Sequence, residues 1–212
     1  MVKAIIFDLW NTLSYNDPFN PHNFVLSKIG LEKNMHNDRI IEEELMVSKE
    51  DFGILVTNML RKFGVNDKSV AKEIEETWKK SRLILFPEVI DCFKRFRKNH
   101  KLAILSNSIA IDIPKIRESG IMEHINYAGF SFETGLLKPD IRAFEDVLKN
   151  LNIRPEEAMM VGDNLTVDIV PAEKLGMKAV LIRRKNEFER SHTERGKYKF
   201  TIKSLNELER FL

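Results

Sequence analysis

Cysteine is nearly missing from this sequence, and other absences narrow the class of protein further. The 212 residues contain a single cysteine, Cys92, so no disulfide can form within the chain. No apolar run approaches the length of a membrane-spanning helix, about 20 residues. Neither sign of charge dominates, because 34 basic and 32 acidic side chains leave a net charge of +2. We therefore expect neither a membrane nor a nucleic-acid partner.

The overall amino-acid composition is typical of a globular protein. Hydrophobic residues make up 43% of the chain and charged residues 31%, and the length suffices for one domain with a subdomain. The first residues enter a predicted strand at once, which leaves no room for a signal peptide and favours the cytoplasm. Two basic stretches, 94–101 and 183–199, are interrupted by aromatic, acidic or polar residues, a pattern typical of solvated surfaces.

Hydrophobic periodicity divides the chain into a helical part and an alternating part. Residues 2–7 are predicted to form a buried strand, and residues 14–85 show only helical spacing, which indicates a small helical bundle with no strand in it. The strands predicted after Pro87 are 102–105, 127–130, 158–161 and 178–182, and the helices are 87–98, 112–119, 141–151, 167–175 and 205–212. Strands that alternate with helices predict an α/β fold with a mostly parallel, doubly wound sheet.

The most informative residue, Asp8, follows the buried apolar run Ala4–Phe7. A strand that ends in a carboxylate places a reactive group at the carboxyl edge of an α/β sheet, where active sites of this fold class form. Two residues later stands Trp10, whose indole cannot transfer protons as a carboxylate does. The sequence thus combines a candidate nucleophile with no acid or base beside it.

Three further polar motifs follow predicted strands. Ser106 and Asn107 can hold a phosphate or carboxylate oxygen, and Lys138 can neutralise an anion. Asp163 and Asp168, five apart on a loop that enters a helix, suit Mg²⁺, which takes oxygen ligands. Taken singly, each motif has an ordinary structural alternative: a polar turn, a surface Lys-Pro turn, a turn aspartate or a favourable charge in the first turn of a helix.

Together and in this order, the motifs resemble those of the haloacid dehalogenase-like hydrolase superfamily. The matching segments are Phe7–Leu13, Ser106–Asn107, Lys138–Pro139 and Gly162–Asp168. The resemblance covers essentially the whole chain. It implies a Rossmann-like core formed by residues 1–13 and 86–212, with residues 14–85 as a small helical cap.

The resemblance also implies roles for the motif residues. Asp8 would be the nucleophile, attacking phosphorus to form an aspartyl-phosphate, or carbon in the dehalogenase branch. The residues that would support the first loop, or bind and neutralise the transferred group, are Thr12, Ser106, Asn107 and Lys138, of which Lys138 would also take part in catalysis. The ligands of Mg²⁺ would be Asp8, the backbone carbonyl of Trp10, Asp163 and, directly or through water or Lys138, Asp168.

Two positions depart from the family pattern. Phosphatases of the family carry a second aspartate where this chain has Trp10, and that aspartate protonates the leaving group. Because general acid–base catalysis contributes about 10²–10⁴-fold, a phosphatase without it would be slow on alkyl phosphates unless another group substitutes. Asn11 replaces the customary glycine and puts the geometry of the loop in question.

Three functions remain open at this point. The dehalogenase branch lacks the second aspartate too, but it needs no metal, and a carboxylate such as Asp163 would repel an anionic haloacid. We therefore favour a Mg²⁺-dependent phosphatase of a small phosphorylated metabolite over a 2-haloacid dehalogenase that acts on a halogenated acid. The third alternative is a phospho-ligand-binding protein with little turnover. No sequence feature predicts an oligomeric state.

Overall fold

The structure is a computed structural model and describes residues 1–184 and 198–212. Its strands are β1 (Ala4–Phe7), β2 (Ser14–Asp17), β3 (Arg82–Leu85), β4 (Lys101–Ser106), β5 (Tyr127–Phe130), β6 (Ala158–Gly162), β7 (Lys178–Ile182) and β8 (Thr201–Ile202). Six of these strands form one sheet in the spatial order β5-β4-β1-β6-β7-β8, and every neighbouring pair is parallel. The predicted α/β fold with a parallel sheet is thus confirmed.

Helices cover both faces of this sheet, as a doubly wound fold requires. The α-helices of the described residues are α1 (Pro21–Lys28), α2 (Met35–Leu45), α3 (Phe52–Lys62), α4 (Lys68–Lys80), α5 (Val89–Phe96), α6 (Ile113–Glu118), α7 (Ser131–Thr134), α8 (Ile141–Leu151) and α9 (Val170–Lys174). Successive β1 side chains point to opposite faces: Ile5 and Phe7 share a core with α5, whereas Ala4 and Ile6 share the other core with α8. Each face is therefore buried, which explains why the strands are continuously apolar.

The helices α1 to α4 pack around a separate core. The fully buried Trp78 lies in this core, with its ring 5.3 Å from that of Phe52, as expected for a packing rather than a surface role. Two residues from outside these helices, Ile109 and Leu137, belong to the same core. The helical bundle is thus docked directly onto the loops that carry these two residues.

The prediction that residues 14–85 contain no strand is wrong. β2 and β3 pair antiparallel, with Ser14 opposite Leu85 and Asp17 opposite Arg82, and they form a two-stranded ribbon at the base of the helical bundle. The short β2 lacks the alternation that indicates a strand, and the apolar end of β3 continues the helical spacing of α4. Their pairing arises because both connections leave the core side by side, a long-range relation that local pattern does not contain.

Other differences concern the ends of elements. The strand Thr201–Ile202 was not predicted, because two residues carry no periodicity, and the segment Leu205–Phe211 is a 3₁₀ helix rather than an α-helix. The helix predicted at 167–175 begins earlier, as a π-helical turn at Leu165–Ile169 that leads into α9. Residues 185–197, which include most of the second basic stretch, lie outside the described residues. No helix in the described part of the chain is both long and apolar enough to cross a membrane.

Candidate active site

The predicted motifs converge because their strands are neighbours. Asp8 follows β1, Ser106 ends β4 and Asp163 follows β6, and these three strands lie side by side with β1 in the middle. Carboxyl ends of adjacent parallel strands meet at one edge of a sheet, so the loops share a single cleft. Lys138, on the loop before α8, reaches into the same place.

Lys138 is the electrostatic centre of the cleft. Its ammonium donates hydrogen bonds to Asp8 Oδ1 and to Asp168 Oδ1, both at 2.6 Å, and its side chain is only 2% exposed. Burial by itself would lower the pKa of Lys138, but the two carboxylates more than offset it and raise that pKa above its ordinary value. The lysine therefore stays protonated and supplies a permanent positive charge.

Asp8 lies beside this charge with one oxygen unused. Burial raises the pKa of Asp8 to about 6, with Lys138 opposing the rise and Asp168 adding to it. While Oδ1 accepts from Lys138, the buried Oδ2 has no hydrogen-bond partner among the described residues. A buried carboxylate oxygen without a partner is open to an electrophile or a cation.

A divalent cation fits the charge and spacing of this cleft. Asp8, Asp163 and Asp168 each offer a carboxylate oxygen, and these oxygens lie within 4.8 Å of one another. Opposite ligands of Mg²⁺ are about 4.2 Å apart at its ligand distance of about 2.1 Å, so small movements would complete the site. Burial, then the charges of Asp8 and Asp168, raise the pKa of Asp163 well above its ordinary value. The single ammonium of Lys138 leaves this excess of negative charge uncompensated.

The candidate metal ligands differ in whether their oxygen atoms already accept hydrogen bonds. The backbone carbonyl of Trp10 accepts no hydrogen bond from the part of the chain that the structure describes. Both oxygens of Asp168 are engaged, Oδ1 by Lys138 and Oδ2 by the backbone N–H of Asn164 at 3.0 Å. Both Asp168 oxygens are therefore already occupied, whereas Asp8 Oδ2 and the Trp10 carbonyl have no hydrogen-bond partner among the described residues.

The Asn107 side chain holds Lys138 instead of facing the cleft. Its amide donates to the Lys138 carbonyl at 3.1 Å and accepts from the Lys138 backbone N–H at 2.8 Å. Both polar ends of the amide are thereby used, and only the backbone N–H of Asn107 remains for an anion. The family resemblance implies that Asn107 binds substrate, but its side chain instead holds the loop that carries Lys138.

The remaining polar residues of the cleft form a small hydroxyl network. The hydroxyl oxygens of Ser106 and Ser108 are 2.9 Å apart, and the Ser108 N–H donates to Ser131 Oγ at 3.0 Å. Ser131, for which the sequence carries no signal, is the first residue of α7, directly after β5, and it fixes this loop from the neighbouring strand. Thr12 Oγ1 is buried and makes no hydrogen bond of good geometry among the described residues, but it lies near enough to Asp8 to help lower the pKa of that carboxyl.

Trp10 and Asn11 shape the loop after Asp8. The indole N–H of Trp10 donates to Ser108 Oγ at 3.2 Å, which ties the first loop to the second. Asn11 adopts a left-handed backbone conformation with φ of 59°. Because asparagine tolerates this region better than other side chains, the loop turns here without the customary glycine.

We expect Trp10→Phe to lower the free energy of unfolding by at least about 1 kcal/mol, since it removes one partly buried hydrogen bond and replaces the indole with a smaller aromatic ring. The melting temperature should fall by about 2–4 °C. A double-mutant cycle with Ser108→Ala checks the cause, because the two losses should not add. Fully additive losses would show that the indole N–H does not stabilise the second loop.

Two residues, Arg184 and Gly162, contact the loops of the cleft and hold them in place. Arg184, which is buried just beyond β7, donates from Nε and Nη2 to the Thr12 carbonyl at 3.1 and 2.7 Å and pairs with Glu88. Gly162 lies so close to Asp168 that an added Cβ would be 2.4 Å from the Asp168 carboxyl carbon. The role of Arg184 was not predictable from the sequence, because a single cation within a basic stretch resembles an ordinary surface residue.

Comparisons with known proteins agree with the geometry. A family model described as haloacid dehalogenase-like hydrolase matches residues 2–176. A glyceraldehyde 3-phosphate phosphatase of Methanopyrus kandleri is 30% identical over 87% of this chain and 85% of its own length. The glyceraldehyde 3-phosphate phosphatase of Methanocaldococcus jannaschii is 28% identical over 98% of this chain and 96% of its own length. A glyceraldehyde 3-phosphate phosphatase of Methanothermobacter thermautotrophicus is 35% identical, but the match spans only 50% of this chain and 47% of that relative.

Solved structures share the fold. A HAD phosphatase from Thermococcus onnurineus superimposes with a TM-score of 0.66, at 24% identity, over 99% of this chain and 97% of the other. A 2-haloacid dehalogenase from Pseudomonas syringae pv. Tomato DC3000 has the same TM-score and coverage at 20% identity. Both chemistries therefore occur on this architecture, and shape alone does not choose between them. From the motifs, their geometry and the family match, the chain belongs to the haloacid dehalogenase-like hydrolases.

Proposed function

We propose that this hydrolase is a Mg²⁺-dependent phosphatase that acts on a small phosphorylated metabolite through an aspartyl-phosphate on Asp8. The observation that carries the proposal is the trio of carboxylates around one lysine, with Asp8 Oδ2 buried and unpartnered. Such a cleft has more negative charge than Lys138 can balance, and a divalent cation together with a phosphoryl group would complete it.

The chain's own residues have distinct tasks in this reaction. An Asp8 carboxylate oxygen attacks phosphorus, and the Lys138 ammonium stabilises the charge of the transferred group. The Ser106 hydroxyl and the backbone N–H of Asn107 bind phosphoryl oxygens, and Thr12 Oγ1 adds a further hydrogen bond from the first loop. When bound, Mg²⁺ would neutralise charge on the phosphoryl oxygens and orient the group.

The dehalogenase alternative leaves Asp163 without a role. Its carboxylate lies with those of Asp8 and Asp168 in the cleft, and an incoming haloacid would add another negative charge to it. The only support for a binding protein without turnover is that Trp10 stands where phosphatases of the family carry a proton-transferring aspartate. The relatives that are named phosphatases support the phosphatase and suggest three-carbon sugar phosphates as the first substrates to try.

A substrate panel separates these functions. Phosphate release from sugar phosphates and an aryl phosphate is measured with Mg²⁺ and with EDTA, and halide release from 2-chloropropionate is measured without metal. Hydrolysis that requires Mg²⁺ supports the proposal. Metal-independent halide release would establish the dehalogenase, and phosphate binding without turnover would establish the binding protein.

The metal site can be tested without any substrate. We expect saturating Mg²⁺ to stabilise the folded state by about 2–3 kcal/mol at 100 times its dissociation constant. Asp163→Asn should abolish this rise in melting temperature, while the melting temperature in EDTA should increase because one of the repelling carboxylates is gone.

The matched control for this experiment is Asp140→Asn, near Lys138 in sequence. Asp140 is paired with Arg142 and accepts the first N–H bond of α8, a task that asparagine also performs. This variant should keep the response to Mg²⁺. An Asp163→Asn variant that still responds fully would show that the cation binds elsewhere.

A further inference from the structure

Trp10 is the one departure from the family pattern to which the proposed reaction gives no task. Its indole N–H donates to Ser108 Oγ at 3.2 Å, and Ser108 Oγ lies 2.9 Å from Ser106 Oγ. These three polar groups form a hydrogen-bond relay, Trp10–Ser108–Ser106, that runs from the loop after β1 to the last residue of β4.

The direction of the relay follows from a count of its protons. An indole nitrogen can only donate, so Ser108 Oγ must accept from Trp10. The Ser108 hydroxyl has one proton of its own, and Ser106 Oγ is the one acceptor for it among the described residues. Ser108 is 1% exposed, so the reversed bond would leave its proton buried without a partner. The Ser108 hydroxyl therefore donates to Ser106 Oγ.

The neighbouring groups do not compete with the relay. The Ser131 hydroxyl accepts from the Ser108 backbone N–H at 3.0 Å and donates to the Ser108 carbonyl at 3.2 Å, which fixes the backbone and leaves the Ser108 side chain to the relay. Within the described part of the chain, the remaining acceptor for the Ser106 proton is the Asn107 carbonyl at 3.4 Å, which is beyond the usual length of such a bond. The protein thus holds the Ser106 proton only weakly.

Both ends of the relay lie beside the reacting groups. Trp10 stands two residues after Asp8. At the other end, Asn107 follows Ser106 and binds the Lys138 backbone at 2.8 and 3.1 Å, and the Lys138 ammonium contacts Asp8 at 2.6 Å. An anion bound at this ammonium is a better acceptor for the Ser106 proton than the distant Asn107 carbonyl, because hydrogen bonds to charged groups are stronger.

We propose that Trp10 and Ser108 are positioning residues that turn the Ser106 proton toward a phosphoryl oxygen. The proposal rests on the proposed function, in which the Ser106 hydroxyl binds that oxygen. The indole N–H directs the Ser108 proton to Ser106 Oγ, and the Ser106 proton is left to donate to the ligand. A hydroxyl that accepts a hydrogen bond is also a better donor, since successive bonds polarise one another. Trp10 thereby strengthens phosphoryl binding and transfers no proton.

The affinity for inorganic phosphate tests the relay without turnover. The dissociation constant is measured by calorimetry in saturating Mg²⁺. Trp10→Phe and Ser108→Ala should each raise it by about 3–10-fold, and the double variant should lose no more than the worse single variant, because both changes break the same relay. In a Ser106→Ala background, Trp10→Phe should change it by less than about twofold.

Two further variants separate the relay from mere support of the loop. Ser131→Ala removes the bonds to the Ser108 backbone and leaves the relay complete, so its effect on phosphate affinity should multiply with that of Trp10→Phe. Ser108→Thr keeps a hydroxyl at position 108 and should retain wild-type affinity within about twofold, whereas Ser108→Ala should not.

A spectroscopic readout follows the relay directly. The chain has two tryptophans, and Trp78 is fully buried in the core of the helical bundle. The indole N–H signal that Trp10→Phe removes from the NMR spectrum belongs to Trp10. Phosphate should shift this signal in the wild-type protein and leave the Trp78 signal in place, and Ser108→Ala should abolish the shift.

The results that contradict the relay are clear. Multiplying losses for Trp10→Phe and Ser108→Ala, or an undiminished effect of Trp10→Phe in the Ser106→Ala background, would overturn it. Should Trp10→Phe not fold, Ser108→Ala and Ser106→Ala give the same test, since they also break one relay and should not multiply.

Failure of the proposed function gives a different result. Phosphate binding with these couplings but without hydrolysis of any ester in Mg²⁺ would overturn the phosphatase and support the relay. Hydrolysis with multiplying losses would support the phosphatase and overturn the relay. A wild-type protein that binds no phosphate would overturn both.

Discussion

Asp8→Asn is expected to reduce phosphate release by at least about 10⁴-fold, the scale on which loss of a covalent nucleophile acts. The amide keeps the size of the carboxylate, and its oxygen can still accept from Lys138 at the position of Oδ1. It cannot attack phosphorus, so the aspartyl-phosphate cannot form. The measurement is turnover of 4-nitrophenyl phosphate in excess Mg²⁺, with the same assay applied to the unchanged protein.

The same variant should be more stable than the wild-type protein in EDTA at pH 8. Folding raises the pKa of Asp8 from 3.8 to about 6, so the folded state holds this proton more tightly than the unfolded state. The resulting penalty is absent below pH 3.8, grows between pH 3.8 and 6 and is complete above pH 6. A gain in melting temperature at pH 8 that shrinks toward pH 4 separates a lost nucleophile from a misfolded protein. Activity within about tenfold of wild type would place the nucleophile elsewhere.

Gly162→Ala should disrupt both folding and activity. The new Cβ would lie 2.4 Å from Asp168 Cγ and 2.5 Å from its Cβ, distances that real contacts do not reach. Asp168 cannot move aside, because it is 1% exposed and held by Lys138 and by the Asn164 N–H. Overpacking costs about 1–3 kcal/mol, and displaced charge-assisted hydrogen bonds add to it, so we expect a loss of at least about 3 kcal/mol.

Gly53→Ala is the matched control for this steric argument. Its new Cβ would approach Glu75 Oε2 at 2.8 Å and Asp51 Oδ1 at 3.1 Å, but Glu75 Oε2 is the end of a flexible, partly exposed side chain that can turn away, and the Asp51 contact needs only a shift of a few tenths of an ångström. Alanine also favours a helix over glycine by about 1 kcal/mol, so this variant in α3 should be unchanged or more stable. Chemical unfolding of both variants gives the comparison. A Gly162→Ala variant as stable as Gly53→Ala would mean that the Asp168 loop is free to adjust.

The fold was predictable where the residues of a single helix or strand show a clear hydrophobic pattern. Residues 141–151 and 178–182 have the predicted bounds, because a strong apolar stripe and a short β-branched run are local properties. The ribbon of β2 and β3 was missed because its pairing joins residues about seventy positions apart. The same reasoning explains the convergence of the motifs: once the strands are parallel neighbours, their loops must meet.

The charged residues of the candidate site were predictable from the sequence, but the residues that hold the loops of the site in place were not. Asp8, Lys138, Asp163 and Asp168 follow from residue type and order along the chain, and they do come together. The clamp made by Asn107 depends on a contact across 31 positions, and the contact of Arg184 with Thr12 spans 172.

The shared core of the bundle and the cleft loops links turnover to temperature. Any movement of the bundle away from the cleft loops would expose the apolar surfaces of Ile109 and Leu137, which are now buried in the core of the bundle. Hydrophobic burial stabilises a structure less at low temperature. Cooling should therefore favour separation of the bundle from the cleft loops, and warming toward moderate temperature should oppose it. We therefore expect turnover to depend on temperature through the burial of these two side chains.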